Sequence, residues 1–326
     1  LGGADSGRAL MLGAIRDAGE DPLTVFNGVG HGPVTLSEAE LSAGAELDEA
    51  PDPVRLDVPD WLWPELQSSL GDRTEAGLTL LRDRAPVHLR VNTLVTDRDA
   101  VLGELIRHGH DAKALEMTPT GVEVAGAPRG LVLLSCFTDG WFEMQDGASQ
   151  AVIDRLSPLV KGADVLDYCA GGGGKSLAMA AYRPKRLVAH DGDPGRMSHL
   201  PERAGRSGVE IDVVTEVSER FDLVLCDAPC SGSGAWRRQP AAKWDLSEDR
   251  LTTLCDLQLE ILNTAQDHVR SDGHLAYATC SLLDAENDKT VDRFLLANPA
   301  WQSVDRLRLT PLDGGDGFYL NVLRRT

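Results

Sequence analysis

A chain of 326 residues is about twice the length of a typical domain, so two domains, or one large domain with an appendage, is the starting expectation. Its 42% hydrophobic and 25% charged residues suit a folded soluble chain, and no apolar run approaches the ~18 residues of a membrane span, which argues against disorder and against membrane insertion. With 32 Lys and Arg against 51 Asp and Glu the net charge is −19, which counts against a protein wrapped in nucleic acid, but residues 1–60 carry −9 of it and residues 151–200 carry +2.

In chain order, residues 8–18 read as a short amphipathic helix, broken by the stretch from Gly28 to Pro33 and followed by an acidic connector with Pro51 and Pro53. Trp61, Leu62, Leu66 and Leu70, then Leu78, Leu80 and Leu81, fit two helices between residues 59 and 85. Strand 87–94, helix 98–108, strands 111–116 and 121–125 and the apolar stretch 131–134 make a small α+β unit of ferredoxin-like size. Three parts follow from this reading: an N-terminal segment 1–58, a small α+β subdomain 59–135 and a larger domain 136–326.

Beyond Gln150 strands and helices alternate: strand 163–168, helix 175–182, strand 186–190, helix 194–206, strands 209–214 and 221–226, helix 247–270, strand 273–279 and helix 284–297. Such alternation predicts a parallel sheet covered on both faces. Segments 303–309 and 318–323, either side of Asp313-Gly314-Gly315-Asp316-Gly317, predict an antiparallel pair at its edge.

Cysteines at 136, 169, 226, 230, 255 and 280 have neither the density of a secreted disulfide scaffold nor a paired Cys-x-x-Cys framework. The expectation is a cytoplasmic protein without a metal site, and no basic stretch followed by an apolar core suggests a signal peptide.

Asp167-Tyr168-Cys169-Ala170-Gly171-Gly172-Gly173-Gly174-Lys175 follows the first strand of the sheet and opens a helix. Its glycines let backbone approach a ligand at the carboxyl end of that strand, where open α/β sheets bind. Gly174-Lys175-Ser176 matches the end of a P-loop, but the first glycine of that motif would fall on Cys169. A dinucleotide site lacks the full G-x-G-x-x-G context, and the other common ligand is a nucleoside without a pyrophosphate, such as S-adenosylmethionine. Asp191, after the second strand, is the better candidate for a ribose contact and Asp193 the local alternative; Arg196, in the next helix, is a further candidate cofactor contact.

Asp227-Ala228-Pro229-Cys230-Ser231 and Thr279-Cys280-Ser281 each follow an apolar strand on the same sheet edge as the glycine loop, and Glu286-Asn287 follows the second. Cys226 lies inside a strand and reads as core; Cys230 and Cys280 sit among small polar residues. Two loop cysteines and an acid beside a methyl donor suggest thiolate addition to carbon 6 of a pyrimidine, which makes carbon 5 nucleophilic, with the second cysteine assisting proton removal and release. Asp227 suits ring nitrogen 3 and the exocyclic amine.

At these residues the sequence resembles the RNA (cytosine-5) methyltransferases of the Nol/Nop/Sun group, particularly the bacterial small-subunit ribosomal RNA branch, over roughly residues 60–326. His88-Leu89-Arg90-Val91-Asn92-Thr93-Leu94, Gln145-Asp146-Gly147-Ala148-Ser149-Gln150 and Trp236-Arg237-Arg238-Gln239-Pro240 with Lys243-Trp244 also carry the likeness. The resemblance implies a class I S-adenosylmethionine-dependent, Rossmann-like α/β fold behind a small RNA-binding subdomain. It further implies that Cys280 is the nucleophile, that Cys230 releases the product, and that ribosomal RNA is the substrate. Cys169, Ala170, Gly171, Gly172, Gly173, Gly174, Lys175, Asp191, Arg196 and Asp227 become the expected cofactor set. Arg90, Asn92, Arg237, Arg238, Lys243 and Trp244 become the expected RNA contacts, the last four joining phosphate pairing to base stacking.

Two departures stand out. Gly172 replaces the proline usual in the loop, and the acid expected to contact adenine after the third strand has Glu216 as its candidate. An alternative reading is a ribosome-assembly or RNA-binding factor that keeps the fold with weak or no turnover; methylation of a protein or small molecule would leave the two loop cysteines unexplained.

Overall fold

The computed structural model describes residues 3, 6–44 and 50–326, which fall into two compact units divided after Trp63 rather than after residue 58. In the first, helix α1 (Gly7–Asp17) starts where the side chain of Ser6 accepts the Ala9 N–H, and Leu12 and Phe26 are buried. Arg8 lies 4.7 Å over the Phe26 ring and pairs with Glu40, whose carboxylate also caps a short turn begun by Ser37. The expected acidic connector includes residues 45–49, which lie outside the described residues.

The second unit, from Pro64, takes in the rest of α2 (Trp63–Leu70) and α3 (Thr74–Arg82) and continues into a four-stranded antiparallel sheet. Its strands are β1 (Val87–Val91), β2 (Ala112–Ala114), β3 (Gly121–Val124) and β4 (Phe142–Met144), in the order β2-β3-β1-β4. Strand β4 lies beyond the expected boundary at residue 135: three residues give too short an alternation to read, and β4 is specified by its non-local pairing with β1, Leu89 opposite Met144. Because side chains alternate along β1, Leu89 and Val91 pack with Phe142 and with Val101 and Leu105 of α4 (Arg98–Arg107). His88, Arg90 and Asn92 take the opposite face, and there they meet the larger domain.

That domain opens with a helix that the sequence reading did not include, α5 (Gly147–Val160), capped by Asp146. Seven strands follow: β5 (Asp164–Asp167), β6 (Arg186–His190), β7 (Asp212–Val214), β8 (Phe221–Asp227), β9 (Val269–Thr279), β10 (Trp301–Leu309) and β11 (Phe318–Arg325). Their order is β7-β6-β5-β8-β9-β11-β10; the first five are parallel, and β11 runs antiparallel to both of its neighbours. The central strands β5 and β8 are buried on both sides, as a parallel sheet requires, while the edge strands β7 and β10 are largely exposed. Val165, Leu223 and Leu225 face α5 and α6 (Gly174–Ala180), while Leu166, Val224 and Cys226 face α8 (Glu248–Ala265) and α9 (Asp288–Ala297). Between β6 and β7 runs α7 (Leu200–Ser207).

Helix α8 ends five residues before the expected limit at 270, and β9 begins at Val269 rather than at 273. Gly273 explains the difference: a Cβ there would lie 2.9 Å from the Asp222 carbonyl, so the polar run Arg270–Asp272 passes into the sheet through an irregular register that only glycine permits. None of the described helices is long and apolar enough to cross a membrane.

The two domains meet through polar side chains. The Asn92 amide donates to the carbonyls of Gly140 (3.0 Å) and Ser207 (2.9 Å), and its oxygen accepts the Leu94 N–H. Replacing Asn92 with Ala removes the partners of three backbone groups at a buried position, and urea denaturation should register a loss of about 2–4 kcal/mol. Asn92→Asp should be at least as damaging, because a carboxylate would face two carbonyl oxygens.

Candidate active site

The carboxyl ends of β5, β6, β8 and β9 converge on one rim. After β5 the chain turns through Gly171 (φ +51°) and Gly173 (φ +80°), left-handed conformations that favour glycine, and Gly173 serves as the N-cap of α6. A Cβ on Gly173 would also stand 2.2 Å from Leu200 Cδ1, so the turn and its packing on α7 both exclude a side chain. A cleft of about 260 Å³ opens beside this loop, lined by Cys169, Ala170, Gly171, Gly172, Gly174, Lys175, Arg196 and Asp227 together with Gln145, Asp146 and Ser149. Gly173 is the one member of the expected cofactor loop that turns away from it.

Asp191, at the end of β6, is buried: its Oδ2 accepts the Gly171 N–H at 2.8 Å and lies 3.2 Å from Arg196 Nη1, while Oδ1 accepts the Asp193 N–H. Asp193 itself caps the following turn through Gly195 and takes the structural role. Lys175 Nζ donates to Asp227 Oδ2 at 2.6 Å and sits 4.5 Å over the Phe318 ring. Burial works against this ammonium, but the Asp227 carboxylate more than offsets it and holds the lysine above its usual range. Burial first, then the charges of Asp167 and Asp227, pushes the Cys169 thiol up, so it lines the cleft as a neutral group. Glu216 is exposed and is not among the cleft-lining residues.

Cys230 and Cys280 come from loops 50 residues apart in sequence, and their Sγ atoms stand 3.4 Å apart. The Cys230 thiol is raised well above its ordinary range, first by its hydrogen bond with Cys280, then by burial and by the Glu286 carboxylate. Glu286 is fully buried and accepts hydrogen bonds from the Ser231 backbone (2.7 Å), from the hydroxyls of Ser231 and Ser281, and from Gln258 Nε2 (3.0 Å). Asn287 completes the clasp: its Oδ1 accepts from Thr279 Oγ1 at 2.6 Å, and its amide donates to the Ser281 carbonyl at 2.9 Å. Gly234 N–H donates to the Cys280 carbonyl (2.9 Å) and Gly317 N–H to the Gly234 carbonyl (2.8 Å), which leaves no room for a Cβ on Gly234.

The expected RNA contacts fare differently. Arg90 and Asn92 are buried on the domain seam, where Arg90 Nε donates to Gln145 Oε1 at 2.7 Å and Asn92 makes the bonds described above. Arg237 and Arg238 do not form an open basic patch, because Asp316 bridges them at 2.7 and 2.6 Å and Asp146 accepts from Arg238 at 2.7 Å. Lys243 is buried. The exposed members are Trp244, at 56% of its surface, and part of Arg238. Sequence reasoning counted the cations without their acids: Asp316 lies 79 residues from Arg237, and Asp146 lies 92 from Arg238. Asp146 also meets His88 Nδ1 at 3.1 Å. Burial opposes its charge, but His88, the Asp316 N–H and Arg238 together keep its carboxyl well below the usual range.

With this geometry in view, the likeness to known proteins is decisive. Residues 156–320 match the family described as 16S rRNA methyltransferase RsmB/F, and residues 58–129 match the ferredoxin-like domain of RsmF/B-like methyltransferases. The chain belongs to the RsmB/F methyltransferase family. It is 31% identical over 279 residues to ribosomal RNA small subunit methyltransferase B of Photorhabdus laumondii, covering 80% of this chain and 65% of that protein. To the protein of the same name from Vibrio vulnificus it is 33% identical over 282 residues, covering 81% and 66%. The chain thus spans just under two thirds of the length of these curated relatives. The crystal structure of PH0851 superposes with a TM-score of 0.79 at 29% identity, covering 86% of this chain and 69% of that one.

The fold is therefore the class I S-adenosylmethionine-dependent one, and the cleft suits that cofactor. Gly171, Gly172 and Gly174 form a wall without side chains and Arg196 and Asp227 line the cleft, whereas Asp191 is buried behind the loop, its oxygens taken by Gly171, Asp193 and Arg196, and is not among the lining residues.

Beneath the loop, Asp167 is completely buried; its Oδ2 accepts from Ser176 Oγ at 2.6 Å and its Oδ1 has no partner. Burial raises its carboxyl to about 7, against the Ser176 bond that favours the anion. The native state thus holds a proton that the unfolded chain has released, so this group withdraws stability as pH rises from about 4 to about 7. Asp167→Asn keeps an acceptor for Ser176 and removes the titration. Denaturation of both proteins at pH 5 and pH 7.5 should show the variant gaining on the wild type as pH rises; a pH-independent difference would exclude the proton.

Proposed function

We propose that this chain transfers a methyl group from S-adenosylmethionine to carbon 5 of a cytosine in RNA, with ribosomal RNA as the substrate, through a covalent adduct between a cysteine and carbon 6. The observation that carries this reading is the 3.4 Å separation of Cys230 and Cys280 at the carboxyl ends of adjacent parallel strands, beside the glycine-loop cleft. Family membership and the names of the relatives support ribosomal RNA as the target class.

In the proposed reaction Cys280 Sγ bonds to carbon 6 as its thiol proton passes to ring nitrogen 3, and the ring electrons displaced toward carbon 5 make it nucleophilic. The cofactor supplies the methyl group as a sulfonium. The proton that arrives on ring nitrogen 3 neutralises the charge that addition creates, and Asp227, held by Lys175, accepts hydrogen bonds from that nitrogen and from the exocyclic amine and so orients the base. Cys230 stands 3.4 Å from Cys280 Sγ and so lies beside the carbon 5 face of a ring bonded to that sulfur. Cys230, after giving its own proton to solvent, takes the proton from carbon 5; the carbon–sulfur bond then breaks, Cys280 Sγ takes back the proton from ring nitrogen 3, and the aromatic ring is restored. The base must leave its stack to expose carbon 6, so an unpaired cytosine is the expected target.

Cys280→Ala should lower kcat for transfer of labelled methyl to RNA by at least about a thousandfold. Cys230→Ala should instead accumulate a covalent enzyme–RNA species that survives a denaturing gel. The same species in Cys280→Ala would reverse the two roles.

A further inference from the structure

The glycine loop is gripped from outside the catalytic sheet. Arg203, on α7, directs Nε and Nη2 at Glu143 Oε2 (3.3 and 2.8 Å) and donates from Nη1 to the Gly172 carbonyl. Glu143 belongs to β4 of the small subdomain; it is buried, and its second oxygen accepts from Arg206. Next to it, Gln145 Nε2 donates to the Gly174 carbonyl at 3.1 Å, and Gln145 is itself oriented by Arg90 Nε. Two carbonyls of a run of four glycines are thus held by side chains whose own orientation depends on the small subdomain.

Such a run loses more conformational entropy on ordering than any other sequence of its length. Gly172, outside the left-handed region, has no restraint of its own, and its N–H makes no hydrogen bond among the described residues. A charge-assisted bond from a guanidinium already fixed by a carboxylate restrains this peptide at little further entropic cost. The geometry points to Glu143 and Arg203 as positioning residues that pre-form the S-adenosylmethionine loop, so that the small subdomain sets cofactor affinity as well as any role it has toward RNA. This rests on the glycine loop being the cofactor loop.

Calorimetry with S-adenosylmethionine and amide hydrogen exchange without it test the proposal on the intact chain. Arg203→Met and Glu143→Gln should each weaken cofactor binding about tenfold. They should also speed exchange at Gly171 and Gly173, and raise KM for the cofactor while leaving KM for RNA unchanged. Arg203→Lys, which keeps the charge but cannot reach both partners at once, should behave like Arg203→Met and serves if that variant fails to fold. Adding Gly172→Pro to Arg203→Met should restore most of the affinity by stiffening the loop from within. Wild-type affinity and wild-type exchange in Arg203→Met and Glu143→Gln, whatever their melting temperatures, would overturn the proposal. So would a failure of Gly172→Pro to restore binding when that substitution alone is harmless. A wild-type protein that binds no cofactor would instead count against the cofactor reading, and loop exchange would still judge the clamp.

Discussion

The buried carboxylate of Glu286 accepts hydrogen bonds from both of the loops that carry cysteine, and the geometry of the rim depends on it. Ser231 and Ser281 each follow one of the cysteines, so by holding both hydroxyls Glu286 fixes where Cys230 and Cys280 leave their strands. A buried carboxylate is tolerable only when its acceptor sites are used, and here four donors use them. Tyr277, near the carboxyl end of β9, donates to the Glu286 backbone carbonyl and ties the same residue to the sheet. The sulfur–sulfur separation is therefore set by a polar clasp beneath the surface rather than by the loops themselves.

The seam between the small sheet and the catalytic domain follows a comparable logic. A ferredoxin-like sheet with one apolar face must bury that face against its own helix, and Leu89, Val91, Val122 and Phe142 do so. The other face is polar, and here it is covered: His88, Arg90, Asn92 and Glu143 each find a partner on or beside α5, α7 or the seam strands. Polar contacts of this kind are specific in orientation, because a shift of a few ångströms leaves several buried groups unpaired.

The catalytic sheet was legible because its strands are apolar runs at regular spacing, and the motifs at their ends needed only the rule that ligands gather at carboxyl ends. Asp191, Asp227, Cys230 and Cys280 could be brought together on paper from that rule alone. What could not be read was partnership across sequence distance. Arg237, Arg238, Lys243, Arg90 and Asn92 look like solvent-facing binding groups until Asp316, Asp146, Gln145 and Ser207 are placed beside them or their burial is known. The Asp-Gly-Gly-Asp-Gly turn and the Glu-Asn pair after Cys280 were visible, but nothing local said which loop each would hold. Strand β4 and the start of β9 were hidden for a similar reason, since each is specified by its neighbour rather than by its own alternation.

The close approach of Gly234 to Gly317 bears on how the protein can be altered. Hairpin turns are usually the places that accept insertions or length variation, because little depends on them. In this chain the turn from Asp313 to Gly317 is bonded to the Cys230 loop through bare backbone, and Asp316 holds two arginines of the same segment. The hairpin between β10 and β11 is thus a brace for the cysteine pair, and a change in the length of its turn would reach the rim through backbone alone.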